Sequence, residues 1–263
     1  MLDETDAPII QPVNLKLQIL ECLASSGGEM GVTEIARALA ATKPRIFRHL
    51  QTLRQLGYVA HSPATRKYRV GMRLHLLSKL VGDNVELMQA VRPAMELLRD
   101  QTSQTSVFAS VLNGKMTIID FALGTTVVQY AFRPGATFSL HSSSLGHISL
   151  AFGPKEYWDF VSADNLEAET PKSITDPAKL APRVQKARAQ GWTIVPEGAV
   201  VGVNAVAAPV FYHDSSYAGA IAIVGSVQHI PANPPQELTD FVVAAGHSAS
   251  RNLGWRADTD IRN

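Results

Sequence analysis

Between Thr42 and Gly57 the apolar residues Ile46, Leu50, Leu53 and Leu56 recur at helical spacing, and every charged residue of the stretch is basic. At about 100° per residue, Leu50 falls about 40° from Ile46, Leu53 about −20° and Leu56 about −80°, whereas Arg48, Thr52 and Arg45 fall near 200°, 240° and 260°. A helix divided in this way must lay its leucines on a core and turn its cations outward, with Lys43 at the N-terminal end. Thr42 is placed to cap it, and Pro44 lies in the first turn, where a missing N–H costs nothing. Gly57 stops it.

Two further helices are predicted upstream. Asn14 caps the first, whose Leu15, Ile19, Leu20 and Leu23 fall at i, i+4, i+5 and i+8 before Gly27-Gly28 ends it. Thr33 caps a short second helix, Glu34 to Ala40, that shows Ile35 and Leu39 to the core. Two helices a few residues apart, the second longer and more basic, match a helix-turn-helix. After Gly57, Tyr58-Val59-Ala60, a Ser62-Pro63-Ala64-Thr65 turn and Arg66 to Val70 read as a two-stranded wing, with Tyr68 and Val70 alternating with Lys67 and Arg69. The expectation is a tail over residues 1–12 and a winged helix-turn-helix over 13–70. Lys43, Arg45, Arg48 and Thr52 would meet the major groove of DNA, and Arg66 and Lys67 at the wing tip the backbone or minor groove.

Charge is distributed to suit. The chain carries a formal net charge of only +1, yet residues 1–82 hold eleven Lys/Arg against six Asp/Glu, and residues 83–263 thirteen against seventeen. From Ile35 to Gly82 there are ten basic residues and no acid. A solvated surface normally mixes both signs, so this stretch selects a polyanion, double-stranded DNA. The alternative of a different class is a small-molecule sensor or scaffold that docks proteins on the same basic face; a steep loss of affinity with salt separates the two. No apolar run reaches the roughly 18 residues of a membrane span, and the acidic, Pro-containing start lacks a signal-peptide layout, so a cytoplasmic location is expected. Cys22 stands alone among the 263 residues, cannot form an intramolecular disulfide, and reads as a small buried hydrophobe.

Gly71 opens a segment with Leu74, Leu77 and Val81 at i, i+3 and i+7 that is too isolated to build its own core. Residues 71–83 are predicted as a linker helix packing on its counterpart in a second subunit, with two recognition helices facing a palindromic operator. From 84 to 254 helices and strands mix. A helix carrying Leu87, Val91, Met95 and Leu98 leads to a hairpin of Ser106 to Leu112 and Met116 to Phe121 about Asn113-Gly114. A third strand is expected over Thr126 to Phe132, helices at Ser144 to Phe152 and Pro177 to Gln190, and strands at Trp192 to Val195, Ala205 to Phe211 and Tyr217 to Ser226. A helix from Pro235 to Leu253 closes the domain, leaving 255–263 as a tail. The class is α+β, an antiparallel sheet flanked by helices.

The whole chain resembles the IclR family of bacterial regulators. The resemblance rests on Val32-Thr33-Glu34-Ile35-Ala36, Lys43, Arg48, Leu53, Leu56-Gly57-Tyr58-Val59 and Tyr68-Arg69-Val70-Gly71 in the first part. In the second it rests on Arg133-Pro134-Gly135, Leu140-His141, Leu145-Gly146, Gly191-Trp192, and Glu197 through Gly202 to Ala207-Ala208-Pro209-Val210. It implies a GAF/profilin-like effector domain, a homodimer or homotetramer, and operator affinity altered by a small metabolite, often a carboxylic or aromatic acid. Two departures matter. Pro44-Arg45 replaces two small polar residues common in the family, so the operator cannot be carried over. Ala205, Ala222 and Val224 stand where members that bind short acids have a Cys and two Ser, which makes the pocket more apolar. An aromatic or hydrophobic acid is therefore expected, lined by Val203, Ala205, Ala222 and Val224. Its polar group would meet Ser143, Ser144 and the amides of Leu145 and Gly146 at a helix N-terminus. Asn204 either adds a hydrogen bond or faces solvent. The resulting reading is a transcriptional repressor serving a catabolic operon.

An enzyme reading would use Ser143 and His147 as a hydrolase pair, with Asp120 at a strand end. No G-x-S-x-G elbow exists, adjacency in sequence does not supply nucleophile-to-base geometry, and serines at a helix start usually cap it. The eight histidines show no metal-ligand spacing, and no Walker or G-x-G-x-x-G loop occurs, so no catalytic residue, metal or cofactor is expected.

Overall fold

The computed structural model describes residues 10–80, 82–161 and 166–256. The chain divides into two compact units, one up to Val85 and one from Glu86.

In the first unit, helices α1 (Gln11–Ser25), α2 (Val32–Ala38) and α3 (Lys43–Gln55) precede strands β1 (Val59–His61) and β2 (Tyr68–Val70) and helix α4 (Met72–Leu80). Leu15, Ile19 and Leu23 of α1, Ile35 of α2, Ile46, Leu50 and Leu53 of α3, and Val59 and Tyr68 of the wing form one buried cluster. The wing pairs Val59 with Val70 and His61 with Tyr68, and an isolated bridge ties Met30 to Tyr68.

Helix starts differ from expectation for identifiable reasons. α1 begins at Gln11 and not at an Asn14 cap: Pro12 presets the first turn, and the N–H groups of Val13 and Asn14 both donate to the Ile10 carbonyl. α2 begins after Gly31, whose N–H donates to Glu34 Oε2 at 2.6 Å, so Thr33 lies inside the helix. Thr42 precedes α3 in an extended conformation without a side-chain cap bond. Leu56, placed on the buried face by the helical wheel, follows the last turn and is 48% exposed. On α4, Leu74 is half-buried and Leu77 is 39% exposed, beside the exposed Met72 and Leu76. Val81, expected to continue that stripe, lies outside the described residues.

In the second unit, α5 (Gly82–Thr102) precedes β3 (Thr105–Leu112), β4 (Lys115–Ala122), β5 (Thr137–Phe138), α6 (Ser144–Phe152), α7 (Pro177–Gln190), β6 (Thr193–Ile194), β7 (Val203–Phe211), β8 (Tyr217–Ser226) and α8 (Gln236–Asn252). A 3₁₀ helix over Lys155–Phe160 was not foreseen. The strands form one antiparallel sheet in the order β5-β4-β3-β8-β7-β6. Asn113 and Gly114 both take positive φ, as a tight hairpin between right-twisted strands requires.

Both faces of the sheet are buried. Val107, Ala207, Ala222 and Val224 pack with α6 and α7. Phe108, Val206, Ile221 and Ile223 pack with α5 and α8. Burial on both sides explains why β7 and β8 read as continuous apolar runs and not as alternation.

Thr126 to Phe132 is not a strand. The edge of β4 is already taken: Ile118 donates to the Ala136 carbonyl at 2.9 Å and accepts from Gly135 at 2.8 Å, and Met116 and Thr117 pair with β5. The segment bends instead, with the Thr126 hydroxyl donating to the Val128 carbonyl and Gln129 to the Gly124 carbonyl. The strand expected from Trp192 shrinks to Thr193–Ile194. Residues expected in the tails join the folded units: Gln11 and Pro12 open α1, and Trp255 stacks on Phe211 with ring centroids 5.6 Å apart.

Gly146, in the first turn of α6, is where helix and loop approach most closely. A Cβ there would lie 2.2 Å from the Leu140 carbonyl oxygen and 2.5 Å from its Cα. Because that neighbour is backbone, Gly146→Ala is expected to lower the urea midpoint by the equivalent of about 1–3 kcal/mol with an unchanged m-value; an unaltered midpoint would show that the turn can shift freely.

Candidate functional site

Burial of Ile46, Leu50 and Leu53 leaves Lys43, Arg45 and Arg48 exposed on α3. Among the described residues none of the three has an ion-pair or hydrogen-bond partner for its side chain. Thr52 differs: it is half-buried, and its hydroxyl donates to the Arg48 carbonyl at 3.2 Å, so its donor is used inside the helix. At the wing, Arg66 is exposed and takes φ +56° where the chain turns, while Lys67 stands 3.5 Å from Glu34 and Arg69 4.0 Å from Glu29. These wing pairs are solvent-exposed and therefore weak.

The second unit contains a cavity of about 140 Å³. One wall is sheet: Val107, Ile118, Val203, Ala205 and Val224. A second is aromatic, supplied by Tyr130, Phe132 and Phe138 of the irregular segment and β5. Phe132 packs edge-on against Phe138 and Phe121 at 6.2 and 6.4 Å. Ser142 to Leu145, at the start of α6, form the polar end, and Val195, Ala199 and Val200 close the top. No charged side chain lines the cavity among the described residues.

Of the residues expected here, Ser143, Ser144, Leu145, Val203, Asn204, Ala205 and Val224 line the cavity, and Gly146 and Ala222 do not. Ala222 is packed in the core beneath it, and Gly146 serves the Leu140 contact. The polar side chains are largely committed to structure. Ser142 donates to Glu169 at 2.8 Å. Ser143 donates to the Ser139 carbonyl and accepts from the Gly146 N–H, capping α6. Ser144 donates to the Ala205 carbonyl at 2.7 Å and accepts from the Val195 N–H at 2.9 Å, pinning the helix start between β7 and the residue that follows β6. Asn204, at 3% exposure, does not face solvent: its Oδ1 accepts from the Glu197 N–H and its Nδ2 donates to the Ile230 carbonyl. Two donor types remain without an acceptor among the described residues, the N–H groups of Ser144 and Leu145 and the hydroxyl of Tyr130.

Tyr130 and Phe132 were not expected at the site because a strand over 126–132 would have carried them along an edge of the sheet, and Phe138 lay outside every predicted element. Their clustering on both sides of Arg133-Pro134-Gly135 was the available signal. The roof escaped because Val195 to Val200 has no periodicity. It is held by Glu197, whose carboxylate accepts from Gly202 and from Lys172; these contacts hold its pKa below the usual range.

Ser143 and His147 do not form a nucleophile–base pair. Both bonds of the Ser143 hydroxyl go to backbone, and His147 Nε2 donates to the His141 carbonyl at 2.8 Å. Its Nδ1 is buried without a partner among the described residues. No group of His, Cys, Asp and Glu able to hold a metal occurs among the described residues, and none of their helices is long and apolar enough to cross a membrane.

A basic helix exposed in a winged helix-turn-helix unit and an apolar cavity in a helix-flanked antiparallel domain fit a transcriptional regulator with separate DNA-binding and effector-binding parts. The profile of the "IclR helix-turn-helix domain" matches residues 17–63, and that of the "Bacterial transcriptional regulator IclR C-terminal" matches residues 80–251. The chain belongs to the IclR family of transcriptional regulators. It is 25% identical over 252 residues to the HTH-type transcriptional regulator XynR of Escherichia coli K12, covering 95% of this chain and 100% of that one. The crystal structure of an IclR regulator from Alicyclobacillus acidocaldarius superposes with a TM-score of 0.77 at 25% identity, covering 94% of this chain and 99% of that one. An IclR homolog from Microbacterium hydrocarbonoxydans complexed with 4-hydroxybenzoate shares the fold at TM-score 0.79 and 19% identity, covering 92% and 98%.

Burial pushes the His147 imidazole from an ordinary 6.5 down to about 4, opposed by its bond to His141 and aided by the charge of Arg183. The folded state thus holds it neutral while the unfolded chain protonates it near the ordinary value. Between about pH 6.5 and 4 the unfolded state binds the extra proton, so stability falls as acid is added, by up to about 3 kcal/mol. His147→Gln, whose amide can take the place of Nε2, is expected to show a shallower loss of thermal midpoint from pH 7 to 4.5 than wild type. Equal losses would contradict the assignment.

Proposed function

We propose that this chain is a cytoplasmic repressor of a catabolic operon, binding a palindromic operator as a dimer or a dimer of dimers. Its effector is an aromatic or hydrophobic carboxylic acid whose binding changes operator affinity. The observation that carries the effector class is the cavity. Its volume of about 140 Å³ suits a single six-membered ring; an apolar cavity of ~150 Å³ in another protein admits benzene. Its walls are aliphatic and aromatic, and the aromatic pairs favour a planar ring laid against Phe132 or Phe138.

The carboxylate has a narrower set of partners than the sequence implied. Because the hydroxyls of Ser143 and Ser144 already donate to backbone and the Gly146 N–H is capped, the anion is left to the amides of Ser144 and Leu145 at the α6 N-terminus. Tyr130 supplies the remaining hydroxyl. A two-carbon acid would satisfy the amides but leave the apolar walls unfilled. The Microbacterium hydrocarbonoxydans homolog bound to 4-hydroxybenzoate supports the ring class. Leu74 and Leu77, both partly uncovered on α4, support the subunit contact.

Two measurements test the reading. Calorimetric titration is expected to show saturable heats with benzoate-class acids and none with glyoxylate or pyruvate; tight glyoxylate binding without an aromatic response would reject the effector class. In mobility-shift assays Arg48→Ala should cost about 1–3 kcal/mol and relax base preference, whereas Lys67→Ala should weaken all duplexes alike. Affinity should fall steeply with salt, as neutralising roughly 6–10 phosphates per dimer requires. Salt-insensitive binding, or no preference for any upstream sequence, would reject the DNA-reading role.

A further inference from the structure

Helix α3 carries one large apolar side chain that its own core does not use. Phe47 is 47% exposed and stands outside the cluster in which its neighbours Ile46 and Leu50 are completely buried. Burying a phenylalanine stabilises a fold relative to leaving it in water, so a ring left half-uncovered forgoes part of that gain. Its place on the helix is informative. At about 100° per residue Phe47 lies midway between the buried direction of Ile46 and the outward direction of Arg48. It also falls in the N-terminal half of α3, between Arg45 and Arg48, both exposed and both without partners among the described residues.

In a winged or helix-turn-helix unit the N-terminal residues of this helix meet base edges in the major groove. That groove is polar apart from one group, the C5 methyl of thymine, and phenylalanine is among the side chains able to cover it. We propose that Phe47 reads thymine: its ring covers the C5 methyl of one thymine in each operator half-site, next to the bases and phosphates met by Arg45 and Arg48. The inference rests on the DNA-reading role proposed above and adds to it a second kind of readout, apolar where the arginines are polar.

The test begins with selection of the preferred duplex from a random pool using the full-length protein. Each thymine of the selected half-site is then replaced by deoxyuridine, which removes the methyl and leaves the base-pairing atoms in place. Wild type is expected to lose about fourfold in affinity at one such position, the ~0.8 kcal/mol of one methyl-sized group taken out of water. Phe47→Ala is expected to bind the thymine and deoxyuridine duplexes equally, and Phe47→Leu to keep part of the difference. The residue is exposed on a helix, so a thermal midpoint close to wild type should accompany both variants. Wild-type indifference to every deoxyuridine, the same discrimination surviving in Phe47→Ala, or an enriched half-site without thymine would each overturn the inference while leaving DNA binding intact. A pool that yields no enriched sequence would overturn the DNA-reading role and this inference with it.

Discussion

Burial of Ile46, Leu50 and Leu53 fixes the rotation of α3 about its own axis, and that rotation decides what Lys43, Arg45, Phe47 and Arg48 are able to touch. Three cooperating contacts hold it: α1 and α2 supply Leu15, Ile19, Leu23 and Ile35 on one side, and Val59 and Tyr68 of the wing supply the other. Turning the helix by even one residue's angle would bury an arginine without a partner, at a cost of several kcal/mol. The cations are therefore held outward by the apolar stripe behind them. The nearby acids go elsewhere: Glu34 closes the start of α2 and stands by Lys67, and Glu29 pairs with Arg69.

The sensing domain follows a comparable logic with different chemistry. Its sheet is buried on both faces, so its inner positions are apolar and the polar groups that enter the core must be consumed where they stand. The serines at the start of α6 show this: Ser144 joins α6 to β7 and to Val195 just after β6, and Ser143 caps the helix it precedes. Asn204 does the same for the roof. What looks in sequence like a polar ligand shell is mostly scaffolding, and the cavity it encloses is correspondingly apolar.

Much of the fold was legible because it depends on local signals. The spacing of Leu180, Val184 and Ala187 before Gly191 marked α7 correctly, and Asn113-Gly114 marked the hairpin through a turn geometry few other dipeptides favour. Less legible were features decided by competition. Pro12 outweighed Asn14 at the start of α1, and the Arg133–Ala136 turn displaced residues 126–132 from the β4 edge. Seven cavity-lining residues could be named from sequence because resemblance placed them near the start of α6 and on β7 and β8. The aromatic wall could not, because Tyr130 and Phe132 reach it from a bent segment whose path is set by contacts distant in sequence.

The proposed DNA-reading role requires the α3 guanidinium groups to be uncommitted in the free protein and engaged only by a duplex. Arginine-specific labelling with phenylglyoxal, read by mass spectrometry, addresses it directly. Arg45 and Arg48 should be modified readily in the free protein and protected by a selected duplex, whereas an acid that fills the cavity should not shield them in the absence of DNA. Slow modification of both residues in the free protein, unchanged by duplex, would mean that they are engaged internally and would contradict the account.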